Sequence, residues 1–199
     1  MKARIKEAIL ETAWKMIRRH GITKTNLDDV ARAAMVAKAT IYNYFGSKDQ
    51  VYKEAIDRRI VFMADHLSQT VASLSSPLEK LHAFLRESLQ IEREEAFLFT
   101  EGPSQSERFM SKLASARERF FAAQEQLLQG ILEQGAREGL FPVQNIAKTS
   151  KFIGYFLRGF SPASGNEHNP ATDPNDIPAD AASLFNLLCH GLLSKEGKP

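Results

Sequence analysis

An all-α fold follows from three features of these 199 residues. Apolar positions recur at three and four along most of the chain, and no alternating strand pattern occurs. Gly and Pro also punctuate the periodic runs at Gly21, Pro77, Gly102-Pro103, Gly139 and 161–177. With 43% apolar residues the chain can bury a real core and hold one or two domains. About nine helices are expected.

The first helix carries Ile5, Ile9, Ala13, Met16 and Ile17 on one stripe. It stops at Gly21, after the basic end Arg18, Arg19 and His20 that suits a helix C-terminus. Asn26 can cap the second helix, with Asp29 completing a capping-box-like pair, and Leu27, Val30, Ala31 and Ala34 form its inner stripe. Continuing that helix would swing Val36 and Ile41 off the stripe, so a turn is expected at Met35. The third helix, roughly 37–45, buries Ile41 and Phe45 and leaves Lys38, Ala39, Thr40, Tyr42 and Asn43 outward. Two short helices around a tight turn, the second with small residues at its start, form a helix-turn-helix that can enter a major groove. Tyr42 and Lys48 are suited to hold phosphates.

Ser47 with Gln50 caps a fourth helix running from Lys48 through Val51, Tyr52, Ala55, Ile56, Ile60, Met63 and Leu67 toward Ser73. Pro77 opens the next, with Leu78, Leu81, Phe84, Leu85 and Leu89 in register, ending around 92–95. A short helix over 104–114 and a long one over 116–138 follow, then helices over 144–160 and 178–193. The segment 161–177, with Pro162, Gly165, Pro170 and Pro174, reads as a long loop.

Residues 9–55 resemble the N-terminal domain of the TetR family of transcriptional regulators. The likeness rests on Ile9, Leu10, Ala13, Gly21, Thr25, Asn26, Asp29, Val30, Ala31, Ala34, Val36, Lys38, Thr40, Ile41, Tyr42, Tyr44, Phe45, Ser47, Lys48 and Asp49. Met35 stands where the family usually has Gly, and Ala37 where it usually has Ser. A positive φ at Met35 would cost on the order of 1 kcal/mol relative to Gly.

The resemblance implies a three-helix, homeodomain-like head over 1–47 and a larger helical domain for effector binding and dimerisation over 48–199. It implies a ligand-responsive regulator, a repressor, that binds a palindromic operator in double-stranded DNA as a homodimer. DNA-contact candidates are Thr25, Asn26, Ala37, Lys38, Ala39, Thr40, Tyr42, Asn43, Tyr44 and Lys48. Dimerisation is expected through helices 144–160 and 178–193, where Ala147, Gly154, Ala181, Ala182 and Gly191 allow close approach. A small, partly apolar effector is expected at Phe62, His66, Phe84, Phe121, Tyr155 and Phe156, with His82, Arg86 and Arg158 as further polar candidates. The alternative is a helical ligand-binding or protein-interaction module whose head no longer reads DNA, with Met35 and Ala37 as its symptoms.

Charge agrees with a nucleic-acid partner. Residues 1–50 carry about +5 and the remainder about −3, so the basic excess sits where phosphates would lie. Cys189 is the only cysteine, which precludes an intramolecular disulfide and suits a reducing, cytoplasmic setting. No run approaches the ~18 apolar residues of a membrane span. His20, His66, His82, His168 and His190 have no neighbours at metal-ligand spacing, and no catalytic constellation or cofactor motif occurs, so neither metal, cofactor nor enzyme activity is expected.

Overall fold

The computed structural model describes residues 2–95, 98, 107–160 and 182–188. Its helices are α1 (Lys2–His20), α2 (Leu27–Ala33), α3 (Lys38–Phe45), α4 (Lys48–Ala72), α5 (Pro77–Glu94), α6 (Glu107–Arg137) and α7 (Ile146–Phe160). Residues 182–188 are also helical, and no strand occurs among the described residues.

The chain divides into two compact units. One comprises Met1–Phe62 with Glu101–Glu118, the other Met63–Thr100 with Arg119–Pro199. The division falls inside α4, beyond the 47/48 boundary expected from the sequence.

In the first unit, helix ends sit where the local chemistry puts them. Gly21 (φ 77°) closes α1, and its N–H donates to the Ile17 carbonyl at 2.8 Å. Gly46 (φ 75°) closes α3 by donating to the Tyr42 carbonyl at 2.8 Å, and the Ser47 hydroxyl then accepts the Gln50 N–H to open α4. Ile9, Ala13, Ile17, Val30, Ile41 and Val51 are wholly buried, drawing α1, α2, α3 and the first turn of α4 onto one core. Each such aliphatic side chain contributes roughly 1.5–3 kcal/mol, which outweighs the weak intrinsic helicity of segments as short as α2 and α3. Trp14 joins this core, while Ile5 and Met16 of the expected stripe are only half-buried.

In the second unit, α5 buries Leu81, Phe84, Leu85, Leu89 and Ile91. The α6 residues Phe120, Leu128, Ile131 and Leu132 and the α7 residues Ile153 and Leu157 are buried as well. Lys80 of α5 donates to the Gln134 side chain of α6 at 2.7 Å, and His82 meets the Phe185 ring edge-on at 5.0 Å.

Two expected elements differ. The separate helices over 104–114 and 116–138 are one continuous helix, α6, because Leu113, Ala116 and Phe120 keep a single buried stripe and no residue between them breaks a helix. The helix expected over 144–160 starts at Ile146, capped by Asn145, whose side-chain oxygen accepts the Lys148 N–H at 2.9 Å. The break at Gly102-Pro103, the loop over 161–177 and the outer parts of the 178–193 helix lie outside the described residues, as do Cys189, His168 and His190.

Candidate nucleic-acid interface

The interface is built on the turn between α2 and α3. Asn26 is the α2 cap: its side-chain oxygen accepts the Asp29 N–H at 2.8 Å, and its amide nitrogen donates to the Asp29 carboxylate at 2.5 Å. At the other end of α2 the Val36 N–H reaches the Ala31 carbonyl (2.9 Å) and the Met35 N–H reaches the Arg32 carbonyl (3.2 Å). That pair of bonds is a Schellman closure, which requires a left-handed residue at Met35. Met35 supplies it, with φ 54° and a side chain 92% exposed. The turn therefore keeps the geometry of a glycine turn, with the strain in the backbone of one solvent-facing residue.

Helix α3 is preceded by Ala37 at the N-cap, which has extended backbone and supplies no side-chain cap. Ile41 and Phe45 point into the core, while Ala37, Lys38, Ala39, Tyr42 and Asn43 are exposed and Thr40 and Tyr44 are half-buried. Small side chains at the start and a Tyr and an Asn one turn later leave a narrow, polar surface. Lys38 Nζ lies 2.9 Å from the Asp28 carboxylate, and this hydrogen bond raises the Lys38 pKa above its ordinary value. Lys48 lies over the Tyr52 ring at 5.3 Å.

Thr25, one of the expected DNA contacts, lies inward. It is 3% exposed, and both its hydroxyl (2.7 Å) and its N–H (3.2 Å) are given to the Gly21 carbonyl. Its own carbonyl accepts the Tyr52 hydroxyl at 2.7 Å, a buried bond between residues 27 apart in sequence. Burial raises the Tyr52 pKa, so the phenol stays a proton donor at any physiological pH. Thr25 and Tyr52 thus tie the start of α2 to α4.

Residues 9–55 match the family model of bacterial regulatory proteins, tetR family. The HTH-type transcriptional regulator BetI of Agrobacterium fabrum is 35% identical over 88 residues, 43% of this chain and 41% of that protein, so the chain spans about two fifths of that relative's length. The TetR transcription regulator of Haloarcula marismortui has the same fold over 96% of this chain and 100% of its own, with TM-score 0.74 at 14% identity. Residues 9–55 are thus similar to the DNA-binding domain of the tetR family, and the whole chain shares the fold of a TetR regulator. Bacillus subtilis FadR, a transcriptional regulator solved with stearoyl-CoA, likewise shares the fold of this chain, with TM-score 0.68 and 18% identity over 94% of this chain and 98% of its own.

The six residues expected around an effector are divided between the two units. Phe62 lies in the first unit, exposed, under the Arg59 guanidinium at 4.8 Å. In the second unit Phe84 is buried in the core, Phe156 is half-buried, and His66 Nε2 stands 3.5 Å from the Glu87 carboxylate. Phe121 and Tyr155 are brought together by Arg158, whose guanidinium carbon lies 4.7 Å from each ring centroid. A cavity of about 550 Å³ in this unit contains none of the six; Leu67, Val71, Lys80, Gln124, Leu127 and Gln134 are among its walls.

The interior of the second unit holds polar groups not anticipated from the sequence. Glu92 is 1% exposed and neither carboxylate oxygen receives a hydrogen bond; the Ser88 hydroxyl and the Gln124 amide nitrogen are buried in the same condition. Burial pushes the Glu92 pKa up to about 7, against the pull of Arg158. The signal was present: Ser88 and Glu92 continue the inward stripe of Leu81, Phe84 and Leu85 at helical spacing.

No helix among the described residues is long and apolar enough to cross a membrane, and no three His, Cys, Asp or Glu among them form a metal cluster.

Proposed function

We propose that this chain is a ligand-responsive transcriptional regulator, a repressor that binds a palindromic operator as a homodimer and is released by a small, partly apolar effector. The observation that carries the proposal is α3, a short helix with an exposed polar face behind a closed, tight turn. Its N-terminal residues Ala37, Lys38, Ala39 and Thr40 would meet base edges in the major groove. Tyr42, Asn43, Tyr44 and Lys48 would contact the backbone, with Asn26 at the start of α2 beside them and Thr25 acting only by positioning that start. Two copies then read two half-sites, spaced by the groove repeat of about 34–36 Å or a multiple of it.

For the second copy the candidate surface is α7 with the helix over 182–188. Phe152 (70% exposed), Tyr155 (65%) and Leu187 (63%) present large apolar groups to solvent, and Ala147 lies on the same helix as the first two. Burial of such a face in a four-helix interface is the ordinary way to cover it. An effector that binds the DNA-incompetent arrangement more tightly lowers operator affinity by the ratio of its two affinities, typically worth about 1–3 kcal/mol. The chain would act in the cytoplasm, without catalytic activity.

A mobility-shift titration with the DNA upstream of the chain's own coding region tests the proposal. A salt-sensitive complex is expected, weakened by Lys38→Ala and Tyr42→Phe with the melting temperature unchanged. Absence of any complex would favour a module that has lost DNA reading. Against that second reading stands the turn itself, which Met35 and Ala37 leave closed.

A further inference from the structure

The second unit contains an acceptor set without donors. Ser88 and Glu92 stand one helical turn apart on the buried face of α5, and neither Glu92 oxygen nor the Ser88 hydroxyl has a hydrogen-bond partner. Arg158 of α7 acts electrostatically on Glu92 while lying against Phe121 of α6, so the end of α5 and the Phe121–Gln124 turn of α6 converge on it. Gln124 is itself buried with an unused amide nitrogen, and it also forms part of the wall of the 550 Å³ cavity. Glu92 is buried, and the charged group that acts on it is Arg158 of α7; Asp65 and Lys80 are the charged residues on the cavity wall that Gln124 shares.

Buried carboxylates without donors are costly and rare, and a ligand that supplies the missing N–H groups removes the cost on binding. The aromatic pair Phe121 and Tyr155 already holds one cationic group, the Arg158 guanidinium, from both sides. We infer that the effector is an organic cation with N–H donors, a protonated amine or amidine on an apolar body, seated with its nitrogen on Glu92 and Ser88 and entering past Gln124. This inference rests on the reading of the chain as an effector-responsive regulator and names the chemical class of that effector.

The test uses the full chain with 4-phenylbutylamine as probe and 4-phenylbutanol as its neutral counterpart, followed by calorimetric titration and thermal shift. The amine should bind and raise the melting temperature, the alcohol should bind at least about tenfold more weakly, and Glu92→Gln should lose about tenfold or more for the amine alone, the range expected for a hydrogen bond to a charged group. Ser88→Ala, a milder change that keeps the carboxylate, should weaken the amine by a smaller factor. Equal binding of amine and alcohol, no binding of either, or undiminished amine binding by Glu92→Gln would each overturn the inference. A parallel mobility shift separates the two levels. Glu92-dependent amine binding without release of DNA would leave the site standing and remove the regulatory reading. Release of DNA by neutral or anionic compounds alone would do the reverse.

Discussion

Replacing Glu92 with Gln tests the claim that an ionisable group sits in the interior of the second unit without hydrogen-bond donors. Burial moves its pKa from the ordinary 4.5 to about 7, while Arg158 restrains the rise. The folded protein then holds this proton more tightly than the unfolded chain does. Stability is greatest below pH 4.5, falls as the pH rises through about 7, and levels off above it. Integrating the proton linkage between pH 5 and pH 8 gives a loss of about 2.5 kcal/mol from this one side chain. With a urea dependence of about 2 kcal/mol per molar, the unfolding midpoint should fall by about 1 M more in the wild type than in Glu92→Gln across that interval. The comparison between the two proteins cancels every other titrating group. Urea unfolding followed by circular dichroism at pH 5, 6, 7 and 8 supplies the curves, and Arg158→Met should displace the wild-type transition to higher pH. Parallel curves for wild type and Glu92→Gln would refute the reasoning, because the carboxylate would then be solvated or paired in solution.

Three further outcomes follow from the head. Met35→Gly should stabilise the protein by about 0.5–1 kcal/mol in urea unfolding, since the left-handed backbone costs Met about 1–2 kcal/mol and the greater freedom of unfolded Gly returns only part of that; a less stable glycine variant would mean the turn is not strained. Tyr52→Phe leaves the buried Thr25 carbonyl without its donor and should cost about 1–2 kcal/mol, against a negligible loss if the hydroxyl were hydrated. Asp28→Asn releases Lys38 from its ion pair and removes a negative charge beside α3, so duplex affinity should rise and the salt dependence should steepen by about one counterion; unchanged affinity would take Lys38 and Asp28 away from the DNA.

Much of the head was legible in the chain itself, because each of its features is local. Asn26 with Asp29, Gly21 after a basic helix end, and Ser47 with Gln50 act over three or four residues, and the helices begin and end where these place them. The turn at Met35 was legible for the same reason, from the jump in the apolar stripe between Ala34 and Ile41. Periodicity also marked the buried face of α5. It could not say whether an extra break separates two short helices, and the continuous stripe of α6 decided that.

The surroundings of the expected effector residues were not legible for a physical reason: aromatic side chains at helical spacing have the same periodicity whether they fill a core, as Phe84 does, or face water, as Tyr155 does. Composition and local pattern by themselves determined an all-helical chain with a DNA-type head, since caps, breakers and stripes need only near neighbours. Tertiary structure alone decided that Tyr52 reaches the Thr25 carbonyl, that Lys38 pairs with Asp28, and that Glu92 lies buried within the field of Arg158. Those outcomes depend on which helices pack together, and the environment of a charged group is set by atoms that can be tens of residues away.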